Sequence, residues 1–318
     1  MSSKTQIKSS SLDFLKRLST VVADTSDFNL IDKYKPQDAT TNPSLILKAS
    51  KNPEYKELIE EAINYSKRQI DPKQAFVEKV FVNFASEILK VIPGRVSIEI
   101  DAKYSFDVEK SYELAKRFIA HFKKEKIDSE RILIKLAATW EGIQCAKLLE
   151  KESIHCNMTL IFSLAQSVAS ANVNATLISP FVGRILDWYK LKEKKEFVAV
   201  EDPGVVSVKS IYNYLKKFDY KTIIMAASFR NIEEIIELAG LDYITISPDL
   251  LEKLQSKTEV LEKKLDVNIA RNFNIEKINL DEKRFRYLMN KDAMATEKLS
   301  EGIRLFEKDL EILKTMTN

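Results

Sequence analysis

Eight short runs of apolar and β-branched residues recur along the chain, and longer segments with helical periodicity separate them. The runs are Thr20–Asp24, Asp38–Thr41, Val96–Asp101, Ile132–Thr139, Cys156–Phe162, Thr176–Phe181, Thr222–Ser228 and Tyr243–Ser247. Between the second and third, Tyr55, Leu58, Ile59, Ala62 and Ile63 fall on one helical face, and Val77, Val80, Phe81, Phe84 and Ile88 on another. Leu114, Ala115, Phe118, Ile119 and Phe122 repeat the pattern after the third. Successive parallel strands need a crossover long enough to hold a helix, so this alternation predicts an α/β fold, a (β/α)₈ TIM-type barrel. A doubly wound open sheet is the other arrangement it allows.

The two helical patterns between the second and third runs are additions to the basic barrel, and so is the C-terminal tail. In that tail Ala295, Leu299, Ile303, Phe306, Leu310 and Leu313 recur at spacings of three and four, which predicts a long C-terminal helix with one apolar stripe. The stripe would pack against its own barrel or serve a subunit interface, and a homodimer is expected. No solenoid repeat or low-complexity linker interrupts the 318 residues, so 1–318 reads as a single barrel domain.

Composition excludes several classes of function. The 50 basic and 47 acidic side chains leave a net charge of +3 and alternate along helical faces, so nucleic acid is offered no basic stripe. Cys145 and Cys156 are too few for a disulfide framework, and a cytoplasmic location is expected. The N-terminal stretch lacks the apolar core of a signal peptide, and nothing later approaches the roughly 18 apolar residues of a membrane span. With only His121 and His155 available, histidine triads and histidine-rich metal sites are not expected.

One charge is out of place. Lys135 lies inside Arg131-Ile-Leu-Ile-Lys-Leu-Ala-Ala-Thr139, sharing a strand face with Leu133 and Ala137. Burial favours the neutral amine, which can attack a carbonyl; a lysine that snorkels past the strand end, or pairs with a buried carboxylate, is the plainer alternative.

Barrel enzymes work at the carboxyl ends of their strands, and the polar residues there form a coherent set. Asp24 ends the first run, Asn42 follows the second, and Glu99 interrupts the third. Asn157 and Thr159 share a face of the fifth, Ser179 is near the end of the sixth, and Ser228 and Arg230 close the seventh. Each has an ordinary structural alternative: Asn42 before Pro43 would cap a helix, Arg184 would pair with Asp187, and Arg230 with Glu233 or Glu234. Together they suit Schiff-base chemistry on a phosphorylated sugar, with lysine as nucleophile, carboxylates as acid and base, and arginines as a phosphate clamp.

At these residues the chain resembles the transaldolase family, cofactor-free class I aldolase-type enzymes of the pentose phosphate pathway. The segments that carry the resemblance are Asp38-Ala-Thr-Thr-Asn-Pro-Ser-Leu-Ile-Leu47, Ile132-Leu-Ile-Lys-Leu-Ala-Ala-Thr-Trp140, Asn157-Met-Thr-Leu-Ile-Phe-Ser163, Ile178-Ser-Pro-Phe-Val-Gly-Arg-Ile-Leu-Asp-Trp188, Glu201-Asp-Pro-Gly204 and Ala227-Ser-Phe-Arg230. The resemblance implies transfer of a dihydroxyacetone unit from sedoheptulose 7-phosphate to glyceraldehyde 3-phosphate, with no metal or organic cofactor. It implies that Lys135 forms the Schiff base, that Asp24 takes the proton from the hydroxyl beside the cleaved bond, and that Glu99 works through a water with Thr159. Asn42 and Asn157 would hold donor hydroxyls, Ser179, Arg184, Ser228 and Arg230 would surround the phosphate, and Phe181 would line the site. Ala138 and Ala226 depart from the family's commonest serine and glycine without removing any of these groups. Two other classes stay open on the sequence: a pyridoxal-phosphate barrel enzyme with Lys135 holding the cofactor, and a sugar-phosphate binding protein without turnover.

Overall fold

The computed structural model describes residues 9–317. Residues 1–8, where most of the stretch read for a signal peptide falls, lie outside the described residues. The strands are β1 (Thr20–Asp24), β2 (Asp38–Thr40), β3 (Val96–Glu99), β4 (Ile132–Ala137), β5 (Cys156–Ile161), β6 (Leu177–Pro180), β7 (Ile223–Ala226) and β8 (Tyr243–Ile246). All pair in parallel with their sequence neighbours, and β8 returns to β1, so the sheet closes as the predicted (β/α)₈ barrel and not the open alternative. The helices before β3 are α1 (Ser11–Leu18), α2 (Phe28–Tyr34), α3 (Pro43–Ser50), α4 (Lys56–Ser66) and α5 (Pro72–Val91). Next come α6 (Val108–Lys124), α7 (Trp140–Lys151), α8 (Leu164–Asn172), α9 (Gly183–Glu193), α10 (Pro203–Lys217) and α11 (Ile232–Glu237). After β8 follow α12 (Pro248–Ser256), α13 (Val267–Arg271), α14 (Glu282–Lys291) and α15 (Ala293–Lys314).

Several predicted runs extend past the observed strand ends because their last residues cap the next element. Asp101 caps a short 3₁₀ turn, and Thr139 accepts the Gly142 N–H at the start of α7. Three helices, not two, separate β2 from β3, since Pro43 opens α3 directly behind Asn42.

Inside the barrel Val22, Leu133, Leu177 and Met225 form a small apolar layer of their own. Side chains alternate along a strand, so the residues two positions further on, Asp24, Lys135, Ser179 and Ala227, form the next layer up, at the carboxyl mouth. The outer strand faces pack against the helices in one continuous core.

The stripe of α15 packs on its own barrel: Ala295, Ile303, Phe306, Leu310 and Leu313 are all buried. The helix crosses the end of β5, where Leu160 takes a left-handed φ of 55° and the register with β6 shifts. Gly302 lets it come close, for a Cβ there would lie 2.6 Å from Leu160 Cδ2.

Candidate active site

Glu99, Lys135 and Asn157 share one register row across β3, β4 and β5, and all three side chains face the interior. Lys135 is 4% exposed, with Nζ 2.9 Å from Glu99 Oε2 and 3.0 Å from the Thr41 carbonyl that accepts its hydrogen bond. The pairing alternative for Lys135 is therefore realised, but its partner is itself one of the rim carboxylates. The contact with Glu99 is Coulombic and lacks hydrogen-bond geometry, since Glu99 Oε2 is buried without a hydrogen-bond partner among the described residues. Thr159 Oγ1 is buried in the same condition, on the strand residue paired with Ala137. Glu99 Oε2 and Thr159 Oγ1 thus leave two hydrogen-bonding positions that a reactant or water would complete.

Asp24 stands half-buried at the end of β1. Its Oδ1 accepts from Thr40 Oγ1 at 2.9 Å, and Thr40 Oγ1 also bonds Thr245 Oγ1 at 2.7 Å. Burial pushes the Asp24 carboxyl above its ordinary value, against the pull of Lys135, the Thr40 hydrogen bond and Arg184. Burial raises Glu99 as well, again opposed first by Lys135. Both carboxyls thus move toward the range in which proton exchange near neutral pH is easy.

A cavity of about 60 Å³ brings together Asp24, Asn42, Lys135, Thr159, Ser179, Phe181, Arg184 and Ser228. Asn42 caps α3 through Oδ1, which accepts the Leu45 N–H at 2.9 Å, and lines the cavity too. Asn157, two residues before the cavity-lining Thr159 on β5, is fully buried, donating to Ser97 Oγ at 3.0 Å and accepting from Ser179 Oγ at 2.6 Å. Phe181 bridges to Ala227 at the barrel mouth.

The two arginines differ. The guanidinium of Arg184 lies between the rings of Phe181 and Phe306, 5.0 and 5.6 Å from their centroids. The expected surface pair of Arg184 with Asp187 is not formed. Asp187 instead binds Arg230, through Nε at 3.1 Å and Nη2 at 2.6 Å, so the expected Glu233 or Glu234 side-chain partner is also replaced. Only the Arg230 backbone N–H reaches Glu234. Arg230 Nη1 lies 3.4 Å from Ser228 Oγ, at the rim of the cavity and not in its lining. Burial, then the charge of Arg230, pulls the Arg184 pKa down, which marks a cation short of anionic partners.

Thr40, Thr245 and Phe306 also line the cavity and were not singled out from the sequence. Period-two alternation within their runs could have found the threonines. Phe306 carries no sequence signal of a site, because its helix reads as an apolar stripe. Among the described residues no group of three or more His, Cys, Asp or Glu is arranged to hold a metal ion, and no helix is long and apolar enough to cross a membrane.

The profile of the family described as Transaldolase/Fructose-6-phosphate aldolase matches residues 21–317. The chain belongs to this family. It is 54% identical over 314 residues to the transaldolase of Schizosaccharomyces pombe, covering 96% of this chain and 98% of that one. It is 56% identical over 319 residues to the human transaldolase, covering 98% of this chain and 95% of the other. The transaldolase of Saccharomyces cerevisiae is 53% identical over 315 residues, at 96% and 94% coverage. A transaldolase-family chain with this barrel is a transferase whose substrate class is phosphorylated sugars.

Proposed function

We propose that Lys135 is the covalent residue of a transaldolase reaction. In it a dihydroxyacetone unit passes from sedoheptulose 7-phosphate to glyceraldehyde 3-phosphate, giving erythrose 4-phosphate and fructose 6-phosphate. The observation that carries this reading is one amine, 4% exposed, held 2.9 Å from a buried carboxylate and facing a cavity that also holds Asp24. The Lys135 amine adds to the ketose carbonyl, and Glu99, through a water held with Thr159, moves the protons that let hydroxide leave as water. Asp24 then takes the proton of the hydroxyl beside the scissile bond. The carbon–carbon electrons pass to the iminium, an enamine forms on Lys135, and the aldehyde departs. The acceptor aldehyde reverses these steps, and hydrolysis frees the amine. Asn42 and Asn157 orient the donor hydroxyls; Phe181 forms an apolar wall; Ser179, Ser228, Arg184 and Arg230 receive the phosphate, which matches guanidinium forks.

The reaction uses no resident metal or organic cofactor in this reading. Buried, unpaired Cys145 and Cys156 support a reducing cytoplasmic setting, and the chain acts as one barrel domain. A homodimer would draw on surface other than the α15 stripe, which its own barrel occupies; Leu191, Val198 and Val200 are exposed apolar side chains available for it.

Borohydride reduction with fructose 6-phosphate, followed by peptide mass spectrometry, tests the assignment. A three- or six-carbon adduct is expected on Lys135, and Lys135→Arg is expected to abolish both trapping and transfer while the circular dichroism spectrum is unchanged. An adduct on another lysine, or an undiminished rate in the variant, refutes it.

A further inference from the structure

Beneath the rim that carries Ser228 and Arg230 lies a pair of carboxyl groups that the reaction leaves unused. Glu234, in the first turn of α11, is fully buried, and Asp202, the N-cap of α10, is 2% exposed. Backbone amides fix both. Glu234 Oε2 accepts the Arg230 N–H at 2.7 Å, and Asp202 Oδ1 accepts the N–H groups of Gly204 and Val205 at 2.7 and 3.3 Å. Glu234 Oε1 is buried with no donor among the described residues, and the group within hydrogen-bonding range is the Asp202 carboxyl. Two carboxylates in contact repel, whereas two carboxyls that share one proton bond strongly.

The pair touches the supports of both arginines. It holds Arg230 by its N–H. It reaches Arg184 through the first turn of α10, which is packed so closely that a Cβ on Gly204 would lie 2.2 Å from the Val182 carbonyl oxygen. Val182 and Gly183 in turn donate to the Ala227 and Ser228 carbonyls, each at 2.9 Å.

We propose that Glu234 is a positioning residue whose shared proton with Asp202 keeps the Ser228–Arg230 segment and the Val182–Arg184 turn in register to receive the substrate phosphate. This rests on Arg184 and Arg230 being the phosphate ligands. Charged groups around the pair are engaged elsewhere. On α9, Lys190, the cation that acts on Asp202, pairs with Glu196, and Asp187 pairs with Arg230. Glu201 faces Lys195, and on α11 Glu233 faces Lys257 while Glu237 faces Lys209 and Lys264. Burial above all pushes the Glu234 carboxyl up to about 7, opposed by the hydrogen bond from the Arg230 N–H and reinforced by the charge of Asp202. As pH rises through that value both groups ionise, and the Arg230 anchor loosens because their repulsion outweighs the stronger hydrogen bond that an ionised Glu234 accepts from the Arg230 N–H.

The test compares wild type with Glu234→Gln between about pH 5.5 and 8.5, following KM for fructose 6-phosphate, kcat, and hydrogen exchange of the Arg230 amide. Glutamine accepts from Arg230 and donates to ionised Asp202 at every pH. The ratio of wild-type to variant KM is expected to rise about fivefold or more across the range, with kcat little affected, and wild-type Arg230 protection to fall in step. The substrate phosphate titrates at about pH 6, but equally against both proteins, so the ratio removes it. A flat KM ratio, or Arg230 protection independent of pH, overturns the proposal. Arg184→Ala and Arg230→Ala, assayed on phosphorylated and unphosphorylated fructose, separate the two readings. If they spare the unphosphorylated donor while the KM ratio stays flat, only the role of Glu234 fails. If they weaken both donors equally, the clamp fails and the positioning role with it.

Discussion

Lys135 acts on both Asp24 and Glu99, and in the proposed mechanism their different contacts suit them to different steps. Asp24 is tied to Thr40 and faces the cavity, whereas Glu99 meets the Lys135 ammonium through Oε2, which has no hydrogen-bond partner among the described residues. Asp24→Asn cannot accept a proton, so transfer is expected to fall about 10²–10⁴-fold while fructose 6-phosphate still traps on Lys135. Glu99→Gln is expected to slow both formation and breakdown of the imine. Trapping yields beside steady-state rates decide the split, and an Asp24→Asn protein that traps nothing contradicts it. Because burial raises Asp24, its proton leaves at higher pH than from an ordinary aspartate of 3.8. Activity that needs ionised Asp24 is therefore lost as pH falls through that raised value. The acid limb of kcat/KM is expected above the usual carboxylate range, measured across a buffer series. Lys135 itself was legible in the sequence, since a cation in a two-faced apolar strand has few places to go. The exchange of partners that pairs Asp187 with Arg230 was not, because three residues on one helix are a nearer guess than forty along the chain.

The mouth of the barrel is shaped by where helices start and how closely they approach. Gly204 occupies the first turn of α10, and a methyl group there would collide with the main chain of Val182, which cannot rotate aside as a side chain does. Gly204→Ala is expected to destabilise the protein by up to about 2 kcal/mol, because an overpacking cost of about 1–3 kcal/mol against backbone outweighs the gain of about 1 kcal/mol in helix propensity. Urea titration measures the stability; a neutral or stabilised variant would show that α10 has room to shift. The same substitution is expected to raise KM for phosphorylated donors, since Val182 leads directly into Arg184. From the C-terminal side of the chain, α15 supplies Phe306 to the same Arg184 guanidinium. Its stripe was readable as helical and apolar, but a period cannot say which surface the stripe covers.

Taken as a whole, the protein buries several carboxyl groups, Asp24, Asp38, Glu99, Asp202 and Glu234 among them, whose pKa values burial raises. Such a group holds its proton in the folded state after the unfolded chain has released it, so its contribution is favourable at low pH and is lost as pH rises. For Glu234 the window runs from the ordinary 4.5 to about 7. Wild type is therefore expected to lose stability relative to Glu234→Gln across that window, by at most about 3 kcal/mol, as read from denaturant midpoints at its two ends. An unchanged difference would mean that the pair carries no extra proton. The alternation of eight strand runs with helices, the closure it implies, and the rim residues two positions beyond the apolar interior all follow from period and spacing, which are local properties of the chain. Tertiary structure alone decided the rest: the Lys135–Glu99 contact, the Thr40–Thr245 link behind Asp24, Phe306 over Arg184, and the Asp202–Glu234 pair. Each joins residues distant in sequence, and the distance between such atoms is set by barrel register and helix docking, which no window of sequence contains.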